Sequence, residues 1–471
     1  MLNLERCAQT SIVDEFAGAE LGDSRRNRRL ERIAQGAMQA PDAGFPRMVQ
    51  DDTELEGIYR FFRSNRVSPR SVLEPHLQAT VRRMRETQGP VLVAHDTTDL
   101  TFGGLQAREG LGVTNGKQQG FFLHLALAVL PGEERLALGT CGMLRLCRTE
   151  YKNTARRSSR ETAMDPTRES LRWTQLVEQV EDRCEGIDCI HLMDREGDNF
   201  DLFALLMRRK ARFVIRGHYD RVLGNGGHLR ERLARLRPQA HRNIEICDRP
   251  DDGRRTTNKQ KNPPRNGRAA RVAVAGCAVT IQSTPSAHST EPELTLHVVR
   301  VWEPKPPPGE PAVSWTLYTT EPIETPEQLL AVVDHYRSRW VIEEFFKALK
   351  TGCAFEKRQL ESYRALSVAL AVFLPIAWRL LLARSLSRVA PDAPATMVAS
   401  DVQLQLLRFK LKLPSVPATA KETTYAIAKL GGHLKRNGDP GWITLGRGIE
   451  SLLLMEVGWK AAISAQRSDQ S

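Results

Sequence analysis

Several features that would place this chain elsewhere are missing from it. No Cys-x-x-Cys pair occurs among its eight cysteines (Cys7, Cys141, Cys147, Cys184, Cys189, Cys247, Cys277 and Cys353), and no histidine cluster supplies the other ligands of a zinc site. They read as the reduced cysteines of a cytosolic protein. The N-terminus has no apolar signal core, because Glu5 and Arg6 interrupt it. There is no long hydrophobic run either. The most apolar stretch, Leu366 to Trp378, contains Pro375 and meets Arg379, so it is too short to span a bilayer and reads as a buried helix. A membrane protein is not expected.

Acidic residues are the minority charge. The 471 residues hold 68 Lys+Arg against 56 Asp+Glu, a formal net charge of +12. A polyanionic partner is favoured, nucleic acid being the common one, against the plain alternative of a basic surface with no such role. Much of the excess is arginine, which grips phosphates and guanine edges in two-point fashion. A chain this long exceeds one ordinary core, so two or three domains are expected.

Residues 1–70 read as helical and charged. Asp23 or Ser24 can cap a helix bearing Arg25, Arg26, Arg28, Arg29 and Arg32, a basic stripe suited to a duplex although flanking acids bring the segment near neutrality. From about residue 90 the pattern changes to strands. Val91 to His95 reads as a short strand ending at Asp96; Gly120–Leu130 and Leu136–Leu146 are two more, joined at Pro131-Gly132. A helix from Asp165-Pro166 runs towards Cys184. Ile187 to Met193 is a buried strand ending at Asp194, followed by a helix from Asn199 and a strand at Arg212–Arg216. This is a mixed α/β sheet. Residues 220–318 break the rhythm with a Pro/Gly/basic loop at 249–271 between alternating segments, a β-rich insertion. A long helix then starts at Thr325, with Pro326 at its first position and Gln328 completing a capping box, and continues through Gly352. Residues 390–471 read as mostly helical.

Two carboxylates thus stand at predicted strand ends, Asp96 and Asp194, where open α/β sheets gather their ligands. Acids at such ends are also common turn and cap residues. Asp99 and Asp198 are close rivals, and the first two are preferred because each follows its strand immediately. On the long helix, Tyr336, Arg339, Glu343, Lys347 and Lys350 fall within an arc of about 80° at ~100° per residue. Alone, that face reads as a solvated one with an i,i+4 Glu343–Lys347 pair. Together, two aspartates and one glutamate meet the needs of two-metal phosphoryl transfer, in which hard oxygen ligands hold two magnesium ions about 4 Å apart.

The segment Tyr336-Arg-Ser-Arg339-Trp340-Val-Ile-Glu343-Glu-Phe-Phe-Lys-Ala-Leu-Lys350 carries a Y-(2)-R-(3)-E-(6)-K spacing. It resembles the signature of DDE transposases of the insertion-sequence-four family. The motifs His95-Asp96-Thr97-Thr98 and Asp194-Arg195-Glu196 are similar to that family's two aspartate motifs, and the likeness extends to Tyr59-Arg60-Phe61 and Ala426-Ile-Ala-Lys-Leu-Gly-Gly432. The resemblance implies an RNase H-like core interrupted by a β-strand domain, with Asp96, Asp194 and Glu343 catalytic and metal-binding. It implies two Mg2+ ions per site (Mn2+ substituting), double-stranded DNA as transposon end and target, and a homodimer that pairs two ends. Cleavage would run through a hairpin, and the 3′ ends would join target DNA. Tyr336, Arg339 and Lys350 would hold phosphates at the cleaved end and Arg216 near the hairpin; Trp315 would stack on a flipped base, with Trp340 close by and Lys347 a weaker contact. Without the resemblance, Trp315 reads as a core tryptophan on a strand.

The expected organisation is a helical DNA-end-binding domain at 1–70, an RNase H-like catalytic domain at 71–384 with its β-rich insertion, and a helical dimerisation domain at 385–471. The expected location is cytoplasmic, nucleoid-associated in a bacterial cell. The rivals are a catalytically silent DNA-binding inhibitor of transposition, whose natural mark would be a lost acid, and another RNase H-like nuclease such as a junction resolvase.

Overall fold

The computed structural model describes residues 11–49, 51–104, 106–116, 118–133, 135–148, 165, 168–246, 266–284, 287–434, 436 and 438–468. Cys7, Cys247, Pro166 and most of the basic 249–271 loop lie outside them. Helices α1 (Ser24–Gln39), α2 (Asp52–Arg63) and α3 (Pro69–Arg85) precede strands β1 (Val91–Thr101), β2 (Gly112–Val113), β3 (Gln119–Val129) and β4 (Ala137–Leu146). Next come α4 (Leu171–Arg183), β5 (Cys189–Met193), α5 (Phe200–Arg208), β6 (Arg212–Arg216) and α6 (Leu229–Ala234). Strands β7 (Ala240–Ile246), β8 (Arg268–Gln282), β9 (Glu293–Trp302) and β10 (Ser314–Thr319) follow. The chain ends in α7 (Pro326–Ser338), α8 (Val341–Lys347), α9 (Tyr363–Val389), α10 (Asp401–Leu411), α11 (Ala420–Leu430) and α12 (Trp442–Ser468). The result is a mixed α/β architecture with helical ends. It falls into two compact units: one of residues 1–155, 179–188 and 340–471, the other of 156–178 and 189–339. The N-terminal helices and the C-terminal helices both belong to the first.

In the first unit β1 pairs antiparallel with β3, and β3 with β4. Strand β1 runs five residues past Asp96, so that acid stands within the strand opposite Leu125 rather than at its end. The extension is β-favouring sequence, Thr97, Thr98 and Thr101, and it closes against Gly120. A Cβ on Gly120 would lie 2.1 Å from the Leu100 carbonyl oxygen, so only glycine lets the two strands approach there. Helix α9 is longer than its apolar stretch announced. It passes through Pro375 without ending, and although long and apolar enough to cross a membrane it is buried inside the unit, the fate expected for that segment. Burial on all sides offsets the roughly 3 kcal/mol that an interior proline costs.

In the second unit β5 and β6 are parallel, β6 pairs antiparallel with β10, and β10, β9, β8 and β7 follow as an antiparallel series. The β-rich stretch therefore has two strands anticipated from alternation, β8 and β9, plus β10 and β7, the last hidden by its polar composition. Phe203 stacks on Phe213 at 5.9 Å and packs against Tyr318 at 5.1 Å in the core beneath.

The first unit buries a charged knot. Glu15, in the Ser11-capped turn Ile12–Phe16, accepts from Arg83 Nη1 at 2.9 Å and from the His76 ring at 2.6 Å, and Arg379 lies 3.6 Å away. His76 Nε2 accepts the Thr140 backbone N–H at 3.1 Å, so its proton sits on Nδ1, donated to Glu15, and the ring is neutral. Burial lowers the His76 pKa in agreement with that tautomer. Burial opposes ionisation of Glu15, but its interactions with His76 and Arg83 outweigh it and hold the carboxyl well below the usual range. Trp378 lies between, with Arg83 4.1 Å and Arg379 4.9 Å from its ring. Replacing Glu15 by Gln leaves two arginines uncompensated, and a loss of about 3–5 kcal/mol in the urea unfolding of this unit is expected. Because its folded pKa is depressed, Glu15 contributes stability that is fully present above its unfolded pKa of about 4.3 and is lost progressively as pH falls from there through the folded pKa. The Glu15→Gln variant should therefore show a flatter loss of stability below about pH 4.5; an unchanged acid limb would remove Glu15 from that role.

Candidate active site and DNA-contacting residues

The signature helix is not continuous. Helix α7 ends at Ser338, and Arg339 and Trp340 keep right-handed dihedrals but tighten the bonding: Arg339 N–H reaches Tyr336 O, and Glu343 N–H reaches Trp340 O, three residues back instead of four. Beyond Lys347 the turn widens, with Cys353 N–H donating to Ala348 O five residues back. The single arc drawn through Tyr336, Arg339, Glu343, Lys347 and Lys350 therefore does not hold. A uniform 100° step cannot cross a tightened turn and then a widened one. Tyr336 and Arg339 belong to the second unit; Glu343, Lys347 and Lys350 belong to the first.

In the first unit, α8 packs against β1, which brings the element of Glu343 onto the strand of Asp96. Both carboxylates are half-buried. Asp96 Oδ1 accepts the Thr97 N–H at 2.7 Å. In the second unit Asp194 follows β5 as anticipated and caps a short turn, Oδ1 accepting Glu196 N–H at 2.8 Å. Among the described residues no three His, Cys, Asp or Glu side chains come together as a metal site. As a donor set, three carboxylates on a strand, a strand end and a helix are hard oxygens of the kind a small divalent cation takes.

Each of these acids has an acidic neighbour, and the structure gives every neighbour a cation. Asp99 accepts Lys350 Nζ at 3.1 Å, and Lys350 also lies 3.8 Å from Glu356, which itself accepts Thr101 N–H at 2.8 Å. Asp198 is buried: Oδ1 takes the Arg221 guanidinium, while Oδ2 takes the N–H groups of His218 at 2.6 Å and Tyr219 at 2.9 Å. Glu196 pairs with Arg172. Glu344 bridges Lys347 at 2.7 Å and Arg384; burial opposes its ionisation, and the two cations still hold its carboxyl below the usual range. Lys347, expected as a phosphate contact, is thus tied to Glu344, and Lys350 to Asp99. Apart from the i,i+3 Lys347–Glu344 pair, the local sequence does not reveal these partners, because Arg384, Arg221 and Arg172 come from elsewhere in the chain.

The remaining residues divide by unit. In the second, Trp315 is half-buried on β10 and its ring lies 5.7 Å from that of the buried Tyr336. Arg216, at the end of β6, is half-buried opposite Leu317, and Arg339 is buried. In the first, Trp340 is 49% exposed. On α1, capped by Asp23, the basic stripe splits: Arg25 and Arg28 are exposed, while Arg26 donates to Leu21 O and Arg29 to Glu54 O. The aspartates can be told apart by stability. Asp198→Asn should cost about 3 kcal/mol because it strands buried Arg221. Asp194→Asn keeps a good capping residue and should change thermal unfolding little. Equal melting shifts in the two variants would contradict this division of labour.

Two family models match the chain. Residues 9–67 match "Transposase DNA-binding", and residues 168–374 match "Transposase DDE domain". The second match spans Asp194, Arg216, Trp315, Tyr336, Arg339, Glu343 and Lys350; Asp96 lies before it. A chain of the cryo-EM structure of the piggyBac transposase synaptic complex with hairpin DNA is similar at a TM-score of 0.36 and 12% identity, over 96% of this chain and 85% of that one. A likeness that slight carries no argument. DDE domains imply an RNase H-like core and generally use divalent metal ions. The chain carries a transposase DNA-binding domain and a DDE transposase domain, and with them the features of a metal-dependent, DNA-cleaving transposase whose partner is DNA.

Proposed function

We propose that this protein is a cut-and-paste transposase of the insertion-sequence-four kind, acting as a homodimer, with Asp96, Asp194 and Glu343 as its catalytic, metal-binding carboxylates. The observation that carries the reading is the Y-(2)-R-(3)-E-(6)-K spacing of Tyr336, Arg339, Glu343 and Lys350 inside a matched DDE domain that follows a matched DNA-binding domain. Asp96 is held within a paired strand, Asp194 by its capping bond, and Glu343 on a helix packed against the Asp96 strand. Such rigid mounts keep carboxylates in place at no reorganisation cost during reaction. When bound, a pair of magnesium ions lowers the barrier by activating the attacking oxygen and stabilising the leaving one.

On this reading the steps are those the family resemblance implies. Water attacks a phosphorus at the transposon end and frees a 3′-hydroxyl. The hydroxyl attacks the opposite strand and closes a hairpin, water opens it, and the 3′ ends attack target phosphates. Lys350 would exchange Asp99 for a phosphate at the cleaved end, with Tyr336 and Arg339 on neighbouring phosphates. Arg216 and Trp315 would serve the hairpin, Trp315 as a stacking platform for a displaced base. Replacing Asp96 or Glu343 by Ala should leave end binding intact while divalent-ion-dependent nicking of a labelled end duplex falls by about 1,000-fold or more, the equivalent of ~4 kcal/mol. Near-normal nicking by Glu343→Ala would return the chain to a silent DNA-binding protein or a different nuclease chemistry.

Pairing of ends is assigned to the C-terminal helix α12. Leu445, Ile449 and Leu452 on it are buried in the first unit, while Leu454 (64% exposed), Val457 and Trp459 are exposed. Apolar side chains left out in this way on a helix mark a contact surface. Leu454→Glu combined with Val457→Glu should leave single-end complexes in gel shifts and abolish the paired-end species. Undiminished pairing would place the dimer contact elsewhere.

A further inference from the structure

A second basic surface lies in the first unit, away from α1. Helix α3 presents Arg70, Glu74, Gln78, Arg82 and Arg85 within about 120° of arc at ~100° per residue, over a rise of about 22 Å. This stripe forms one wall of an open groove of about 1000 Å³. The opposite wall is the outer edge strand β4, from Cys141 to Arg145, with Gln179, Asp182 and Arg183 of α4. One arginine is already neutralised, since Arg183 makes a two-point pair with Glu74 at 2.6 and 3.1 Å. Arg70, Arg82, Arg85 and Arg145 then face Asp182, an excess of three positive charges. Arg70, Arg82 and Arg85 are exposed.

The groove also has a position relative to the proposed chemistry. The pairing Asp96↔Leu125 and Leu125↔Met143 puts its strand wall level with Asp96, two strands away, or about 10 Å at the usual ~4.8 Å strand spacing. A duplex advances ~3.4 Å per base pair, so the helix stripe spans about six pairs. Arginines at helical spacing beside such a backbone make charge-assisted phosphate contacts.

We propose that this α3–β4 groove is the docking surface for target DNA. The inference rests on the transposase reading above and deepens it. Phosphate contacts position a duplex without reading its sequence, which suits a DNA of arbitrary sequence better than a transposon end that must be recognised. Charge complementarity and the level shared with Asp96 commit the groove to a duplex that has to reach the joining site.

The test uses the full-length protein carrying Arg82→Glu with Arg85→Glu, and separately Arg145→Gln on the other wall. Binding of a 30-base-pair duplex without end sequences, measured by anisotropy across salt concentrations, should weaken at least tenfold for the double variant. Its log–log salt slope should become shallower by about 2, one unit per lost contact. Joining of pre-cleaved ends to plasmid should fall in step, while end nicking stays within about twofold, and Arg82→Lys with Arg85→Lys should restore joining. Unchanged duplex affinity and slope would overturn the proposal. A parallel loss of nicking and joining would also overturn it, by showing that end DNA occupies the groove. Failure of the wild-type protein to nick or join would instead sink the transposase reading, and the duplex-binding arm would remain interpretable without it.

Discussion

The first unit depends on one buried carboxylate. Glu15 sits on the turn that leads into the DNA-binding module, and its three partners come from two distant helices: His76 and Arg83 on α3, and Arg379 on α9. The backbone of β4 completes the set, through Thr140 N–H to His76 and Leu138 O from Arg83 Nε at 2.6 Å. Removing two guanidinium groups and a carboxylate from water is costly, and only a fully satisfied arrangement repays it. The network therefore specifies one way of docking the N-terminal turn on α3, β4 and α9. The turn at the start of the matched DNA-binding residues is thereby fixed within the unit whose strand β1 carries Asp96.

The same rule, that a buried or half-buried charge needs a partner, sorts the acids near the proposed site. Asp99, Asp198, Glu196 and Glu344 all have a named cation. They are structural acids that happen to stand two to four residues, or one, from the proposed ligands. Asp198 does the most visible work. By accepting two backbone N–H groups and Arg221, it fixes the 217–221 loop that follows Arg216, and Gly217 N–H adds a 2.7 Å bond to Thr316 O beside Trp315. Arg216 and Trp315 thus gain rigid mounts from a residue that touches neither.

Much of the fold was legible because it is locally encoded. Asp23 and Asn199, and the Thr325/Gln328 box, cap the helices they announce; the two segments flanking Pro131-Gly132 appear as β3 and β4, and the alternating ones as β8 and β9. The failures share a cause. Sequence alone ends strand β1 at Asp96 because Thr97, Thr98 and Asp99 are polar, and only the ladder with β3, closed at Gly120, shows why they stay extended. The signature helix was drawn straight through Arg339 and Trp340 because helical periodicity carries no mark of a tightened turn. Of the candidate site, spacing proposes the residues, and the i,i+3 pair Lys347–Glu344 is local, whereas the Lys350–Asp99 pair depends on what lies opposite in space.

The basic excess deserves a physical division, because a net charge of +12 is not a measure of DNA-binding surface. Many arginines here are architectural. Arg358 is buried, donates to the carbonyls of Ala43, Pro41 and Cys353, and stacks 4.2 Å over Phe373; burial pushes its pKa down to about 10, so it stays charged at neutral pH. Arg83, Arg221, Arg379 and Arg384 are committed in the same way to partners within their own units. Such groups contribute little to the field a polyanion meets, because each is neutralised locally or enclosed in low-dielectric packing. Among the exposed cations, two helix faces carry clusters: Arg25, Arg28 and Arg32 on α1, and Arg70, Arg82 and Arg85 on α3. Long-range attraction is screened beyond about 8 Å at physiological salt, so clustering on these faces, and not the total, decides where a duplex is held.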